Sequence, residues 1–336
     1  MALTTIGDLS QHLVSVRHTG QLKERLNTLT QEVSTGRVAD LAAHLGGDQQ
    51  RYLDTGRQLD LLASRGRSLD ETANLLSVVQ SALGAVQDAG AAAGETLLTV
   101  SAQSGPIHRA TAAIEARTAF EGMVSALNTR RAEHAVLAGA EADKTPLPPA
   151  SDMLDDIRAA ASGATDADGV IAAVDTWFDT PGGGFMTTAY GGSTTTNLAR
   201  PIVDGETLEI TARADHPAVR GALKAAALGA IAEDPGLSLP DSARADLLRH
   251  AGQALVGGAG AMVQLRASVG SAEARVEDAA TRLSARGTAL EIARNDMSVA
   301  DPYETATKLQ NVQLQLETHY TLTARLSRLS LTEYLR

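Results

Sequence analysis

The chain has 336 residues, 43 % hydrophobic but only 3 % aromatic, with no cysteine and a formal net charge of −11. The lack of cysteine excludes disulfides and thiolate chemistry, and the acidic balance without any basic stripe argues against a nucleic-acid surface, which needs clustered cations. Ala-rich, aromatic-poor composition suits close helix–helix contact better than a ligand pocket, and no stretch reaches the ~18 apolar residues of a membrane span.

Residues 1–45 begin without the basic start and apolar core of a cleaved secretion signal. They then place Leu9, Leu13, Val16, Leu22, Leu26, Leu29 and Val33 at helical spacing, which predicts an amphipathic helix. Ser34-Thr35-Gly36-Arg37 interrupts it, and Gly46-Gly47-Asp48 reads as a helix stop and restart. A second long helix is expected from Asp48 to about Leu98, where Leu62, Leu69, Leu76 and Leu83 recur every seven residues and Thr72, Val79 and Val86 follow the last three of them at the half-heptad. Ser101 to Pro106 breaks the chain, and a third helix carrying Ile107, Ile114, Phe120, Val124 and Leu127 is expected to run to about Leu137. The short break makes these two helices an antiparallel hairpin.

Composition changes at Gly139. Pro146, Pro148 and Pro149 precede Ser151, a candidate cap for a helix over 153–161, and a Gly-, Thr- and Asp-rich stretch follows with Trp177, Phe178, Phe185 and Tyr190. Asp204-Gly205, between Ile202/Val203 and the alternating Leu208, Ile210 and Ala212, is a hairpin signal. Pro217 opens a further helix to about Ile231. Val269, Val276, Leu283, Leu290 and Met297 then form one heptad seam on a rod of roughly 43 Å at about 1.5 Å per residue. Such a seam needs a partner, and the seam at Leu62 to Leu83 matches it. Asp301-Pro302 marks a joint before a final helix with Leu309, Val312, Leu316, Tyr320, Leu326 and Leu329. Apolar residues continue through Leu331 and Leu335 to the chain end, a tip expected to be buried in an assembly.

The expected fold is therefore mainly α: long antiparallel helical or coiled-coil arms from both chain ends around a small inserted α+β domain. Residues 1–47 would pair with 300–336 as assembly segments, 48–139 would pack with the long helix over 248–299 as a rod, and 140–247 would be the insert. The rod-core seam comprises Leu62, Leu69, Leu76, Leu83, Val269, Val276, Leu283, Leu290 and Met297. The assembly interface comprises Leu22, Leu26, Leu29, Val33, Leu309, Leu316, Leu326, Leu329, Leu331 and Leu335.

No catalytic, cofactor or metal site is expected. Asp166-Ala167-Asp168-Gly169 resembles the opening of a calcium loop, but Trp177 stands where the bidentate Glu belongs, so it reads as a turn. The eight histidines show no ligand spacing. Gly182-Gly183-Gly184 reads as a loop and Gly257-Gly258-Ala259-Gly260 as a turn leading into a helix, because neither continues into a phosphate-binding pattern. No nucleophile elbow follows Gly192-Ser193.

Leu29-Thr30-Gln31-Glu32-Val33-Ser34-Thr35-Gly36-Arg37, Ala135-Val136-Leu137-Ala138-Gly139 with Thr145-Pro146-Leu147, and Asp204-Gly205-Glu206-Thr207-Leu208 followed by His216-Pro217-Ala218-Val219-Arg220 occur in an order that resembles the flagellin and hook-associated protein family. The ending Leu329-Ser330-Leu331-Thr332-Glu333-Tyr334-Leu335 is closer to the hook–filament junction branch than to the Leu-Leu-Arg ending of many flagellins. The resemblance implies a structural protein with self-association in a helical ring and contacts to hook-end subunits and to other hook-associated protein or flagellin. It also implies type III export with a chaperone and without signal cleavage, an extracellular place in the flagellum, and no cofactor, enzyme activity, nucleic acid or membrane insertion. A flagellin and a coiled-coil adhesin or scaffold module are the alternative readings.

Overall fold

The computed structural model describes the backbone of residues 6–203 and 205–334 and the side chains of residue 10, of 13–203 and of 205–325. The chain is 73 % helical with a few short strands, a mainly α fold with a small β element. It divides into two compact units, one of residues 1–63 with 284–336 and one of residues 64–283.

In the first unit, α1 (Ile6–Thr35) and α9 (Pro302–Tyr334) pack together. α1 stops at Gly36, whose φ of +68° is open to glycine and whose N–H donates to Glu32 O at 2.8 Å. α9 starts where expected, because Asp301 accepts from Tyr303 N (2.8 Å) and Glu304 N (3.0 Å). A short α2 (Leu41–Leu45), capped by Asp40, and one 3₁₀ turn over Gly46–Asp48 lead into α3 (Gln49–Leu98).

α3 and the equally unbroken α8 (Asp241–Asp296) run through both units. Within residues 64–283 they lie antiparallel. Gly66 faces Leu283, Gln80 Nε2 donates to Arg266 O at 2.8 Å, and Gly252 sits against Leu97. The predicted seam residues Leu69, Leu76, Leu83, Val269, Val276 and Leu283 are buried there, as are Thr72, Val79, Val86 and Ala279 between them. Within the first unit Leu62 is also buried, whereas Leu290 and Met297 are half-buried and Met297 lies just beyond the end of α8.

Three sequence expectations for this region need correction. The long C-terminal helix begins at Asp241, not near 248. Gly257, Gly258 and Gly260 stand inside it rather than in a turn, because one exposed turn of glycines costs about 1 kcal/mol each and the packed helix on either side carries it. The third helix, α4 (Pro106–Leu127), ends ten residues before Leu137. Residues 135–138 are consecutive apolar positions with no helical period, and all four are buried, Ala135 at the end of a short strand and 136–138 in irregular chain. Two-residue strands β1 (Arg130–Arg131) and β2 (His134–Ala135) turn the chain, with Ala132 and Glu133 at positive φ. Leu137 O accepts from Ala214 N, and Ala138 O accepts from Ser193 N, each at 2.9 Å. Asn128 holds the loop by exchanging two 2.9 Å hydrogen bonds with the backbone of Leu147.

The rest of this unit comprises α5 (Ala150–Ala161), α6 (Ala167–Asp179), a π turn over Phe185–Ala189, an antiparallel hairpin, and α7 (Pro217–Ile231), which packs closely on α4. α5 begins at Ala150 behind Pro149, so Ser151 lies inside the first turn and is not its cap. The hairpin pairs β3 (Leu198–Pro201) with β4 (Thr207–Ile210) in the register Leu198↔Ile210 to Pro201↔Thr207. Its first strand lies before Ile202 and Val203, which are buried in the connection, while Asp204 lies outside the described residues. Trp177, Phe178, Phe185 and Tyr190 form an aromatic cluster with centroids 4.6–6.2 Å apart. Gly184 belongs to that cluster, since a β-carbon there would fall 1.9 Å from the Trp177 indole nitrogen. Burial, with the neighbouring Asp215 charge, pushes the Tyr190 hydroxyl above its usual range, and that hydroxyl donates to Ser193 O at 3.2 Å. Burial also holds the His216 imidazole below its ordinary range, which suits a neutral ring whose Nδ1 accepts from Ala218 N and caps α7.

Candidate assembly interface

The contact between α1 and α9 is where the two ends of the sequence meet. It is antiparallel. At one end Arg37 and Val299 form a β-bridge, Val38 N donates to Ser298 O at 3.1 Å, and Ala300 N donates to Gly36 O at 3.0 Å. Arg37 also reaches Asn295 Oδ1 at 3.0 Å. Further along, His319 of α9 lies against α1, with Nδ1 3.2 Å from Thr19 Oγ1 and Nε2 3.4 Å from Ser15 Oγ. Because the Thr19 hydroxyl donates to Ser15 O at 2.9 Å, it is left to accept from Nδ1–H of His319.

Leu22, Leu29 and Val312 are the buried core of this pair, and Leu26, Leu309 and Leu316 pack against it half-buried. Val33 lies off that core, 48 % exposed. The side chains of Leu326, Leu329 and Leu331, and Leu335 altogether, lie outside the described residues. Periodicity placed the leucines but not the polar contacts of Ser15, Thr19, Arg37 and His319. Those depend on how far one helix is slid along the other, and no residue spacing within a single helix carries that information.

Among the described side chains, Leu22, Leu29 and Val312 are a thin apolar core for helices of 30 and 33 residues. Much apolar surface is left in water: Leu13, Val14 and Val16 on α1 are 56–63 % exposed, and Leu314 and Leu322 on α9 are 63 % and 53 % exposed. Isolated helix pairs gain most of their stability from covered apolar faces, so this pair is poised to be covered further. Leu29→Ala should weaken it by about 2 kcal/mol, the low end for a buried leucine. Circular dichroism and limited proteolysis should then show loss of helix and faster cleavage in α1 and α9, with thermal unfolding of residues 64–283 unchanged.

Asp166 of the calcium-like stretch caps α6 by accepting from Gly169 N at 2.8 Å. Among the described residues no three His, Asp or Glu side chains are grouped to hold a metal ion, and no helix is long and apolar enough to cross a membrane.

Comparison with known proteins bears on this end of the chain. Residues 254–335 match the family model of the bacterial flagellin C-terminal helical region. No curated protein matches the chain. A solved structure from Vibrio parahaemolyticus, described as that of a flagellar hook-associated protein, is similar at 14 % identity and a TM-score of 0.48, covering 75 % of this chain and 99 % of that one. The segment that supplies α9 and the later part of α8 is thus similar to the flagellin C-terminal helical region.

Proposed function

We propose that the chain is a non-enzymatic structural adaptor that joins the flagellar hook to the filament. The observation that carries this reading is the antiparallel α1–α9 pair, which buries Leu22, Leu29 and Val312 among the described side chains and bears uncovered apolar residues on both helices. In this reading residues 1–47 and 300–336 form the assembly layer, and Val33, Leu326, Leu329, Leu331 and Leu335 complete its apolar surface when subunits stack. Residues 48–139 and 248–299 form the rod, and 140–247 the outward-facing insert. Subunits associate with one another in a helical ring, with hook-end subunits on one side and other hook-associated protein or flagellin on the other. They are exported by the type III route with a chaperone and without signal cleavage, and act outside the cell. The resemblance of Leu329 to Leu335 to junction proteins supports the junction over the filament.

Deletion of the gene tests it, with electron microscopy of the cells and an assay of the medium for flagellin. Bare hooks with flagellin shed into the medium are expected, since filament subunits would be exported with nothing to stand on. Bare hooks without shed flagellin would make this chain the flagellin, and intact filaments would favour a coiled-coil adhesin or scaffold.

A further inference from the structure

Two helices of the 64–283 unit carry outward residues that match one another but cannot meet within one chain. On α4, Ile107 and Ile114 are 85 % and 64 % exposed, and Glu121, seven residues further on, is also exposed and continues the same face. On α8, Val263 and Val256 are 52 % and 48 % exposed, and Arg249, seven residues before Val256, continues that face. Run antiparallel, the two series read Ile107 opposite Val263, Ile114 opposite Val256, and Glu121 opposite Arg249, two apolar pairs and one pair of opposite charge at a constant heptad interval. No charged residue stands between His250 and Arg266 to oppose the isoleucines. Gly260 falls opposite Ala110 in this register, so the backbones can approach closely, and a β-carbon at Gly260 would meet nothing within 4 Å of its own chain. Arg249 pairs with Asp246, one turn away at 2.7 Å, and both are half-exposed, a pair of little worth in water.

We infer that α4 of one copy lies antiparallel along α8 of a second copy in the register set by Glu121 and Arg249. The contact joins two different faces, so it does not close on itself and repeats from subunit to subunit. It rests on the reading of this chain as a self-assembling subunit and names the surface that the middle of the molecule contributes.

The absence of native cysteine makes the test direct. Full-length Ile114→Cys and Val256→Cys proteins, mixed at high concentration and mildly oxidised, should form a disulfide-linked heterodimer. The mismatched mixture of Ile114→Cys with Val263→Cys should form little. Glu121→Arg and Arg249→Glu should each weaken association about tenfold, and the two charge reversals together should restore it. The same matched pair introduced into cells should crosslink in isolated flagella. Equal crosslinking of the mismatched mixture, crosslinking of Ile114→Cys chiefly to itself, no crosslink in either setting, or no rescue by the double reversal would each overturn the contact. Failure here with bare hooks on gene deletion removes the contact and leaves the junction role; crosslinking with intact filaments on deletion does the reverse.

Discussion

Replacing Arg109 by Met is expected to destabilise the 64–283 unit by about 3–5 kcal/mol, the range for breaking a buried ion pair from one side. Arg109 is 4 % exposed near the start of α4. Its Nε donates to Glu233 Oε1 at 2.8 Å and its Nη1 to Ser104 O at 3.0 Å, while Asp241, at 2.9 Å, is itself largely in water. Glu233 is therefore the partner that matters, 19 % exposed and left without its counter-charge in the variant. The hydrogen bond to Glu233 holds the guanidinium pKa above its usual value against the opposing effect of burial, so its stabilising charge is lost only in strong alkali. Urea unfolding followed by tryptophan fluorescence reports this unit, since the one tryptophan, Trp177, is buried within it. Adding Glu233→Gln should recover part of the loss, because the uncompensated charge goes with it. A loss below about 1 kcal/mol for Arg109→Met would mean that water replaces the guanidinium.

The same substitution placed twice in α8 should change sign. A β-carbon at Gly252 would lie 2.9 Å from Leu97 Cβ and 3.0 Å from the backbone nitrogen of Leu98, so α3 and α8 must separate to admit it. Gly252→Ala should cost about 1–3 kcal/mol by overpacking, and Gly252→Val more. Five residues on, Gly257→Ala meets nothing within 4 Å and should stabilise by about 0.5–1 kcal/mol through helix propensity alone. For a unit of this size about 1 kcal/mol moves the melting temperature by about 2–4 °C, enough for the two variants to melt on opposite sides of the parent in one calorimetric series. Equal shifts would show that the α3–α8 approach is looser than 2.9 Å implies.

The contrast between Gly252 and Gly257 also shows where sequence reading stops. Both are glycines in a helical pattern, and only the neighbouring helix distinguishes a required glycine from a permissive one. Heptad residues such as Leu69, Leu76, Val269 and Val276 were legible because a single helix repeats its own face every two turns, whatever lies opposite. Pro302 and Pro217 marked helix starts for an equally local reason, since proline suits the first turn and pushes the residue before it out of helical geometry.

What the sequence determined by itself was the local, periodic part: which stretches are helices, which face of each is apolar, and that the two chain ends carry complementary seams. What only the tertiary structure decided was everything that depends on two segments far apart in the chain. Residues 135–138 leave the helical pattern because their backbone bonds with residues 193 and 214 in a buried loop. The glycines at 257–260 stay helical because 56 residues of α8 are held as one helix on either side of them. His319 meets Ser15 and Thr19 because the α1–α9 register is set by the bridge at Arg37 and Val299. Burial energy is shared across such contacts, so the register of two seams, unlike their existence, is encoded in neither alone.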